Sequence, residues 1–307
     1  MKNLSGTRQG GPNQRAFSEH AATYIVTACG FFTVLVVLSI AVYMVLSGTP
    51  ALWQVGIRDV LFGTVWDPKG APPQFGIWYV ILTSLVGTAA AVILAVPIGV
   101  LTSVYIAEMA PPAVASAIRN AIGVLAGIPS VIFGLMGLMV LNPLMYRLEQ
   151  IVFQNQPDHQ FTGGANLLSA VIVLAIMILP TVINISEFAL RSIPGAVRNA
   201  SRAVGATEIQ TIFQVLLPAA KSGIITAVVL GTGRAIGEAM AISLVSGSAV
   251  NAPLPFNSVR FLTTAVVQEM AYASGLHREV LFTIGLVLFV FIMIINLVLT
   301  KVLKRGE

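Results

Sequence analysis

Six long intervals of the chain carry no Asp, Glu, Lys or Arg: 21–57, 70–107, 120–146, 160–186, 239–259 and 280–300. Apolar density within them predicts five membrane-crossing segments, at about 22–47, 76–105, 120–141, 165–187 and 280–301. A sixth, about 221–248, is apolar except for Arg234 and Glu238. Each is long enough for the ~20 residues that cross a hydrocarbon core as helix. Runs such as Val34–Leu38 and Leu286–Phe291 are apolar on every face. They lack the period-two alternation of a barrel strand, so the pattern predicts an all-α polytopic membrane protein with six transmembrane helices.

Composition agrees. Of 307 residues, 56% are hydrophobic and 9% charged, against ~25% charged in a soluble domain. This excludes a soluble enzyme, a disordered chain and a nucleic-acid binder. The net charge of +5 is then a matter of topology, because basic residues stay on the cytoplasmic side. With both termini inside, eleven Lys and Arg fall in inner segments (Lys2, Arg8, Arg15, Arg119, Arg191, Arg198, Arg202, Lys221, Lys301, Lys304, Arg305). Five fall outside (Arg58, Lys69, Arg147, Arg260, Arg278). The first apolar stretch, about 25 residues, exceeds the ~7–15 of a signal peptide and reads as a retained span. The expected organisation is an inner tail 1–21, a first helix 22–47 and an outside loop 48–75. A five-helix core, 76–301, contains an inner loop at 191–221, and a tail, 302–307, closes the chain. Trp53, Trp66 and Trp78 fall around the outside loop, as in an interfacial belt, and 50–64 is expected to hold a short surface helix.

Candidate chemistry is sparse. Cys29 stands alone, which excludes a disulfide framework and a cysteine metal site, and reads as a small packing residue. His20, His159 and His277 are scattered and read as solvated. The chain holds no GxxxxGK[ST], HExxH, CxxC or GxSxG, so it is expected to have no catalytic residues, no metal and no cofactor of its own.

The inner loop 191–221 has internal order. Pro194 suits a helix start, and Gly205 suits a left-handed helix end. Thr207 and Gln210 have capping-box spacing. Ile209, Ile212, Phe213, Leu216 and Leu217 form one apolar stripe, and Pro218 is expected to break the helix. The result is a short helix–turn–helix. An ordinary solvated loop and a DNA reader are the alternatives. The second is poor, because both ends are tethered to spans and basic residues are few. The remaining reading is a docking element for another protein.

Arg234 and Glu238 stand out within a span. A charge at the centre of a lipid-spanning helix costs roughly 2.5–3.5 kcal/mol on insertion scales. Arg234 lies 13 residues beyond Lys221, about 20 Å along a helix rising ~1.5 Å per residue. Four residues apart, the two are expected on one helix face, with Gly233 and Gly237 forming a strip for close helix approach. Two readings stand: an ion pair that locks helices, or an anion site, since a guanidinium fork suits an oxyanion. Glu187 and Arg191 have salt-bridge spacing, and Glu108 reads as interfacial. Pro97, Pro129 and Pro180 interrupt spans, and Ser130 beside Pro129 is the candidate for a further pathway contact.

The segment Asn199-Ala200-Ser201-x3-Gly205-x9-Val215-x-Leu217-Pro218 resembles the EAA loop of ABC importer permeases, EAA-x3-G-x9-I-x-LP. Asn199 replaces the Glu, Ser201 an Ala and Val215 the Ile. Residues 125–134 (LAGIPSVIFG) and 233–241 (GRAIGEAMA) look like the third- and fifth-span signatures of phosphate importer permeases. Trp66-Asp67-Pro68 with Phe75-Gly76 is similar to the first outside loop of the PstC branch rather than the PstA branch. The resemblance covers about 60–305 and implies a type I ABC importer permease fold. It implies a PstA-like second permease, two PstB-like ATPase subunits that bind the ATP, a PstS-like external phosphate-binding protein, and inorganic phosphate as substrate in a prokaryotic plasma membrane. It also implies ATPase coupling through Asn199, Ala200, Arg202, Gly205, Ala206, Glu208, Leu217 and Pro218, and transport roles for Arg234 and Glu238. A permease for sulfate or molybdate, and a secondary transporter or channel, are the rival functions. The second rival is weakened by the absence of a clear internal repeat.

Overall fold

The computed structural model describes residues 12–156 and 159–304. The charged groups of Lys2, Arg8, Arg15, Lys304 and Arg305 and the ring of His20 lie outside what is described. The protein is helical, with one small hairpin. Helix α1, Pro12–Val55, is followed by α2, Ile57–Phe62. Strands β1, Trp66–Asp67, and β2, Gln74–Phe75, pair antiparallel. Helix α3, Trp78–Val104, continues as a π-helical turn to Met109, and α4 spans Pro112–Gly127. Helix α5, Ser130–Met136, runs through a second π turn, Gly137–Leu141, into α6, Asn142–Val152. Then come α7, Leu167–Arg191, and α8, Gly195–Ala203. Helix α9, Glu208–Gln210, runs through a third π segment, Thr211–Leu216, into α10, Leu217–Ala219. The chain ends with α11, Lys221–Gly237; α12, Met240–Val245; α13, Leu262–Glu269; and α14, Gly275–Lys304.

Among the described residues, five helical segments are long and apolar enough to cross a bilayer: Ala22–Val55, Trp78–Met109, Ser130–Val152, Leu167–Arg191 and Gly275–Val298. Glu208–Ala219 and Lys221–Gly237, bent by 67° at Ala220, make a sixth if counted together. Two expected spans are corrected. The segment 120–141 is not one helix, because α4 ends at Gly127, Ile128 is extended (φ −72°, ψ 127°) and a new helix starts at Ser130. The segment 221–248 breaks likewise, with α11 ending at Gly237 and Glu238 extended (φ −73°, ψ 127°). Each break follows a glycine, the weakest helix former after proline, and Pro129 disfavours helical geometry at Ile128.

Helix α7 is the centre of the bundle, with α3 and α11 packed along it. The main core joins Ala91 and Ala95 of α3, Leu174 and Met177 of α7, and Ala241, Ile242 and Val245 of α12. The short helices α5 and α12 lie side by side. A Cβ on Gly134 would stand 2.8 Å from Ala241 Cα, and one on Gly137 would stand 2.6 Å from Val245 Cγ1. This parallel register sets the two breaks within a helical turn of each other. Helix α1 leans on α14 through its second half. There Thr283 donates to the Gly48 carbonyl (2.7 Å), and Tyr43 meets Phe282 edge-on. Residues 22–40 of α1 are exposed, as a lipid-facing helix must be. Cys29 is exposed among them rather than packed.

The side opposite α8 carries the hairpin, α2 and α13. The expected helix over 50–64 is shorter, because 50–55 completes α1 and Gly56 (φ 99°) turns the chain into α2. Trp53 is exposed and fits an interfacial belt, whereas Trp66 does not. Its indole N–H donates to Glu269 (3.2 Å). Glu269, almost fully buried, also takes Arg260 and His277 (2.7 Å). Burial, and next the Glu269 carboxylate, push the nearby Tyr272 phenol up from its ordinary value. Glu149, fully buried, accepts from the Thr162 N–H (3.0 Å) and hydroxyl (3.0 Å) and pairs with His159 (3.0 Å). His159 and His277 are therefore not the solvated side chains expected. Each is held against a buried carboxylate that cannot stand unpaired.

Gly134 and Gly123 make a matched test of the paired short helices. Gly134→Val meets the Ala241 backbone and is expected to lower stability by about 1–3 kcal/mol. Nothing lies within 4 Å of a Cβ at Gly123, so Gly123→Ala is expected to be neutral or stabilising by up to ~1 kcal/mol. Thermal unfolding in detergent measures both.

Candidate functional site

Two regions hold the residues singled out in the sequence. The first is the level of the two helix breaks. Helix α11 reaches it by lying close along α7. A Cβ on Gly223 would be 2.3 Å from Ala189 Cβ, and one on Gly231 would be 3.2 Å from Val182 Cγ2, with buried Ala227 between. This strip of small residues at four-residue spacing is the close-approach surface. The expected strip, Gly233 and Gly237, has nothing within 4 Å. The adjoining exposed face of α11 presents Ser222, Thr226, Leu230 and Arg234.

Arg234 is exposed, in the last turn of α11, where a cation complements the helix dipole. Its Nη1 donates to Thr181 Oγ1 of α7 (3.4 Å). Among the described residues it forms no ion pair with Glu238, so the expected pairing on one helix face is corrected. The i, i+4 rule needs continuous helix, and the helix stops at Gly237. Glu238 instead caps α12. Its Oε1 accepts from the Ala241 N–H (2.9 Å), and its carbonyl accepts from Thr263 Oγ1 of α13 (2.7 Å). Ser130 opens α5, half-buried, and the α5–α12 register sets it opposite Gly237–Glu238. The structure thus brings Ser130 and Glu238 to matching positions on two broken spans. Arg234 sits one turn before the break in the second, and Thr181 is a neighbour with no signal in the sequence.

The second region is the 191–221 loop, which folds as a helix–turn–helix. Gly205 has φ 90°, the Ala206 N–H donates to the Ser201 carbonyl (3.3 Å) and the Gly205 N–H to that of Arg202 (3.0 Å). This is a Schellman end, which glycine enters without a Cβ clash. The capping box forms as expected: Gln210 N–H to Thr207 Oγ1 at 3.2 Å, and Thr207 N–H to Gln210 Oε1 at 2.9 Å. The Ser201 and Thr211 hydroxyls bond at 2.9 Å and pin the two helices. Arg202 and Glu208 form an exposed bridge (3.3 Å) across the turn.

Two details of the loop differ from expectation. The chain does not break at Pro218. The π segment Thr211–Leu216 precedes it and sets Pro218 in a new first turn, where its missing N–H is tolerated, and the bend comes at Ala220. The apolar stripe is also divided. Ile212 and Leu216 are buried with Val104, Leu190 and Ile193, while Ile209 and Phe213 face outward with Val204. Asn199, Ala200 and Glu208 are exposed beside them, Ala206 and Leu217 are half-buried and Pro218 is exposed. The loop therefore presents an apolar surface with a polar border.

Arg198 fixes this loop to the bundle, a role the sequence did not signal. Its Nε and Nη2 reach both oxygens of Glu108 (2.9 and 2.6 Å), and Nη1 and Nη2 donate to the carbonyls of Ile193 (2.8 Å) and Leu190 (3.0 Å). The hydrogen bond to Glu108 holds the Arg198 guanidinium above its ordinary range. Glu108 is thus the anchor of Arg198, with its carboxylate largely withdrawn from solvent. Glu187 pairs with Arg191 (2.9 Å), as its spacing predicts, and also with Arg119 of α4 (2.6 Å).

Comparison with known proteins places this geometry. The family described as binding-protein-dependent transport system inner membrane component matches residues 95–306. The chain is similar to the probable ABC transporter permease protein YqgH of Bacillus subtilis, 34% identical over 92% of this chain and 91% of that protein. It is similar to phosphate transport system permease protein PstC of Haemophilus influenzae, 34% identical over 75% and 76% of the two chains. It is also similar to PstC 1 of Mycobacterium tuberculosis, 32% identical over 79% and 80%. Among solved structures it shares the fold of a chain of a bacterial alginate ABC transporter in complex with its periplasmic protein (TM-score 0.61, 16% identity, 95% and 96% covered). It shares it too with a chain of the MetNI methionine ABC transporter (TM-score 0.53, 18% identity, 76% and 94% covered).

Glu108→Ala leaves Arg198 among carbonyls without its anion. The cost is expected at about 2–3 kcal/mol, less than the ~3–5 kcal/mol for a fully buried pair, because Arg198 keeps some contact with solvent. Limited trypsin digestion in detergent checks it, with cleavage after Arg198 and Arg202 expected to quicken.

Proposed function

The chain belongs to the family of binding-protein-dependent transport system inner membrane components, and from that premise we propose that it is a PstC-type membrane subunit of an ATP-driven inorganic phosphate importer. The single observation that carries the substrate is Arg234. It is a cation on the exposed face of a membrane-crossing helix, about 20 Å along α11 from Lys221 at ~1.5 Å per residue. A charge there does not face lipid. It faces the route between this chain and a second, PstA-like permease, at the level where both spans break. Backbone interrupted at membrane depth belongs beside a cavity or inside protein. A guanidinium fork matches a tetrahedral oxyanion. A lone exposed cation without a carboxylate clamp gives a hold weak enough to release the ion.

In this reading both termini are cytoplasmic, as the excess of Lys and Arg on that side implies. An external PstS-like protein delivers phosphate to the side carrying the hairpin and α13. Two PstB-like ATPase subunits bind ATP and dock on the surface of Val204, Ile209 and Phe213, flanked by Asn199, Ala200, Arg202 and Glu208. This chain itself hydrolyses nothing. Closure of the ATPases moves the α8–α10 unit, and α11, joined to it at Ala220, carries the motion to Arg234. Glu238 serves as the hinge cap that resets α12 as the route opens, and Ser130 marks the start of α5 at the other break.

Arg234→Ala is expected to cut labelled phosphate uptake at least about tenfold, the loss of one charge-assisted contact, with complex assembly intact. Arg234→Lys is expected to recover part, since a point charge replaces the fork. Uptake at the wild-type rate in Arg234→Ala would remove Arg234 from the route. Gly205→Val places a β-branched residue at φ 90° and is expected to stop ATPase subunits from co-purifying.

A further inference from the structure

Below Arg234, on the side toward the 191–221 loop, α7 and α11 bound an open groove. The antiparallel register is set by Gly231 against Val182 and Gly223 against Ala189. Beside that seam α11 presents exposed Arg234, Leu230, Thr226 and Ser222, and α7 presents half-buried Thr181 and exposed Phe188, with exposed Asn184 further round the same open face. The lower half of the groove encloses a cavity of about 300 Å³ lined by Ile185, Phe188, Ser192, Ser222 and Thr226 among others. The charge of Arg234 at the head of this groove keeps that end of the face from lipid.

Hydrogen bonding separates these polar groups. Thr226 donates to the Ser222 carbonyl (2.9 Å) and Ser192 to that of Ala189 (2.7 Å), so their protons are committed to their own helices. Thr181 faces the Arg234 guanidinium. Asn184 is exposed and makes no hydrogen bond among the described residues. It stands three residues from Thr181, about 4.5 Å along α7 toward the loop at ~1.5 Å per residue. Its amide offers two N–H donors with no charge. No carboxylate competes nearby, since Glu187 is held by Arg119 and Arg191, and Glu108 by Arg198. Toward the loop, the groove ends near exposed Arg191 and Lys221.

We propose that Asn184 is a second holding point for phosphate, receiving its oxygens as they leave Arg234 on the way to the loop side. This inference rests on the importer reading and deepens it. A cation first and a neutral amide second give two holds of decreasing strength. The anion then moves one turn along the exposed face of α7 rather than remaining at the guanidinium.

The test reconstitutes the full complex in proteoliposomes and follows uptake of labelled orthophosphate delivered by its binding protein. Asn184→Asp sets a carboxylate in the anion's path and is expected to slow uptake at least about tenfold. Asn184→Leu removes the donors and slows it less, and Asn184→Gln, which keeps them, stays near wild type. Assembly with the second permease chain is unchanged in all three. Wild-type rates in both Asp and Leu variants would overturn the proposal. So would loss of the second permease from either variant, which would make Asn184 an interface bond. A wild-type complex that takes up no phosphate would overturn the importer reading itself, and this inference with it.

Discussion

Hydrocarbon offers nothing to an unpaired backbone group, and the fold depends on how two interrupted spans meet that constraint. The chain leaves helical geometry at Ile128 and at Glu238, one residue after a glycine in each case. Neither interruption would be tolerated facing lipid. They are tolerated because α5 and α12 pack together, with Gly134 against Ala241 and Gly137 against Val245. At the second break the freed groups find protein partners: Glu238 takes the Ala241 N–H, and Thr263 takes the Glu238 carbonyl. Irregular backbone is thus confined to one level of the bundle, and Arg234 lies one turn from it.

The same arrangement joins distant parts of the chain. The 191–221 loop is built as a small rigid unit, by a Schellman turn, a capping box and the Ser201–Thr211 bond. Arg198 and Glu108 fasten its first half to the end of α3. Its second half runs to the bend at Ala220 and there becomes α11. The seam of Gly223, Ala227 and Gly231 lets α11 lie close along α7. A displacement of the loop therefore arrives at Arg234 through one unbroken helix. On the opposite side Glu269 gathers Trp66, Arg260 and His277 and so ties the hairpin, α13 and α14 together.

How much the sequence disclosed depends on the range of the interactions involved. The loop was legible in detail because Gly205, Thr207 and Gln210 act within a few residues of themselves. The helical class, and a span count close to the five or six found among the described residues, were legible because hydropathy sums over many residues. The breaks were not, since apolar residues continue across them and a single extended residue leaves hydropathy unchanged. That error carried over to Arg234 and Glu238, whose pairing assumed continuous helix. Glu269 and Trp66, 203 positions apart, and Arg198 and Glu108, 90 apart, gave no local signal. Thr181 and Asn184 were hidden in an apolar run, where only packing reveals which face they occupy.

The central claim is that this chain forms part of a route for inorganic phosphate. Its most direct test is labelled orthophosphate uptake at low external concentration, in cells lacking this chain and in the same cells with it restored. The account predicts that uptake returns with the chain and resists excess sulfate and molybdate. Uptake that is independent of the chain, or that sulfate abolishes, would contradict it.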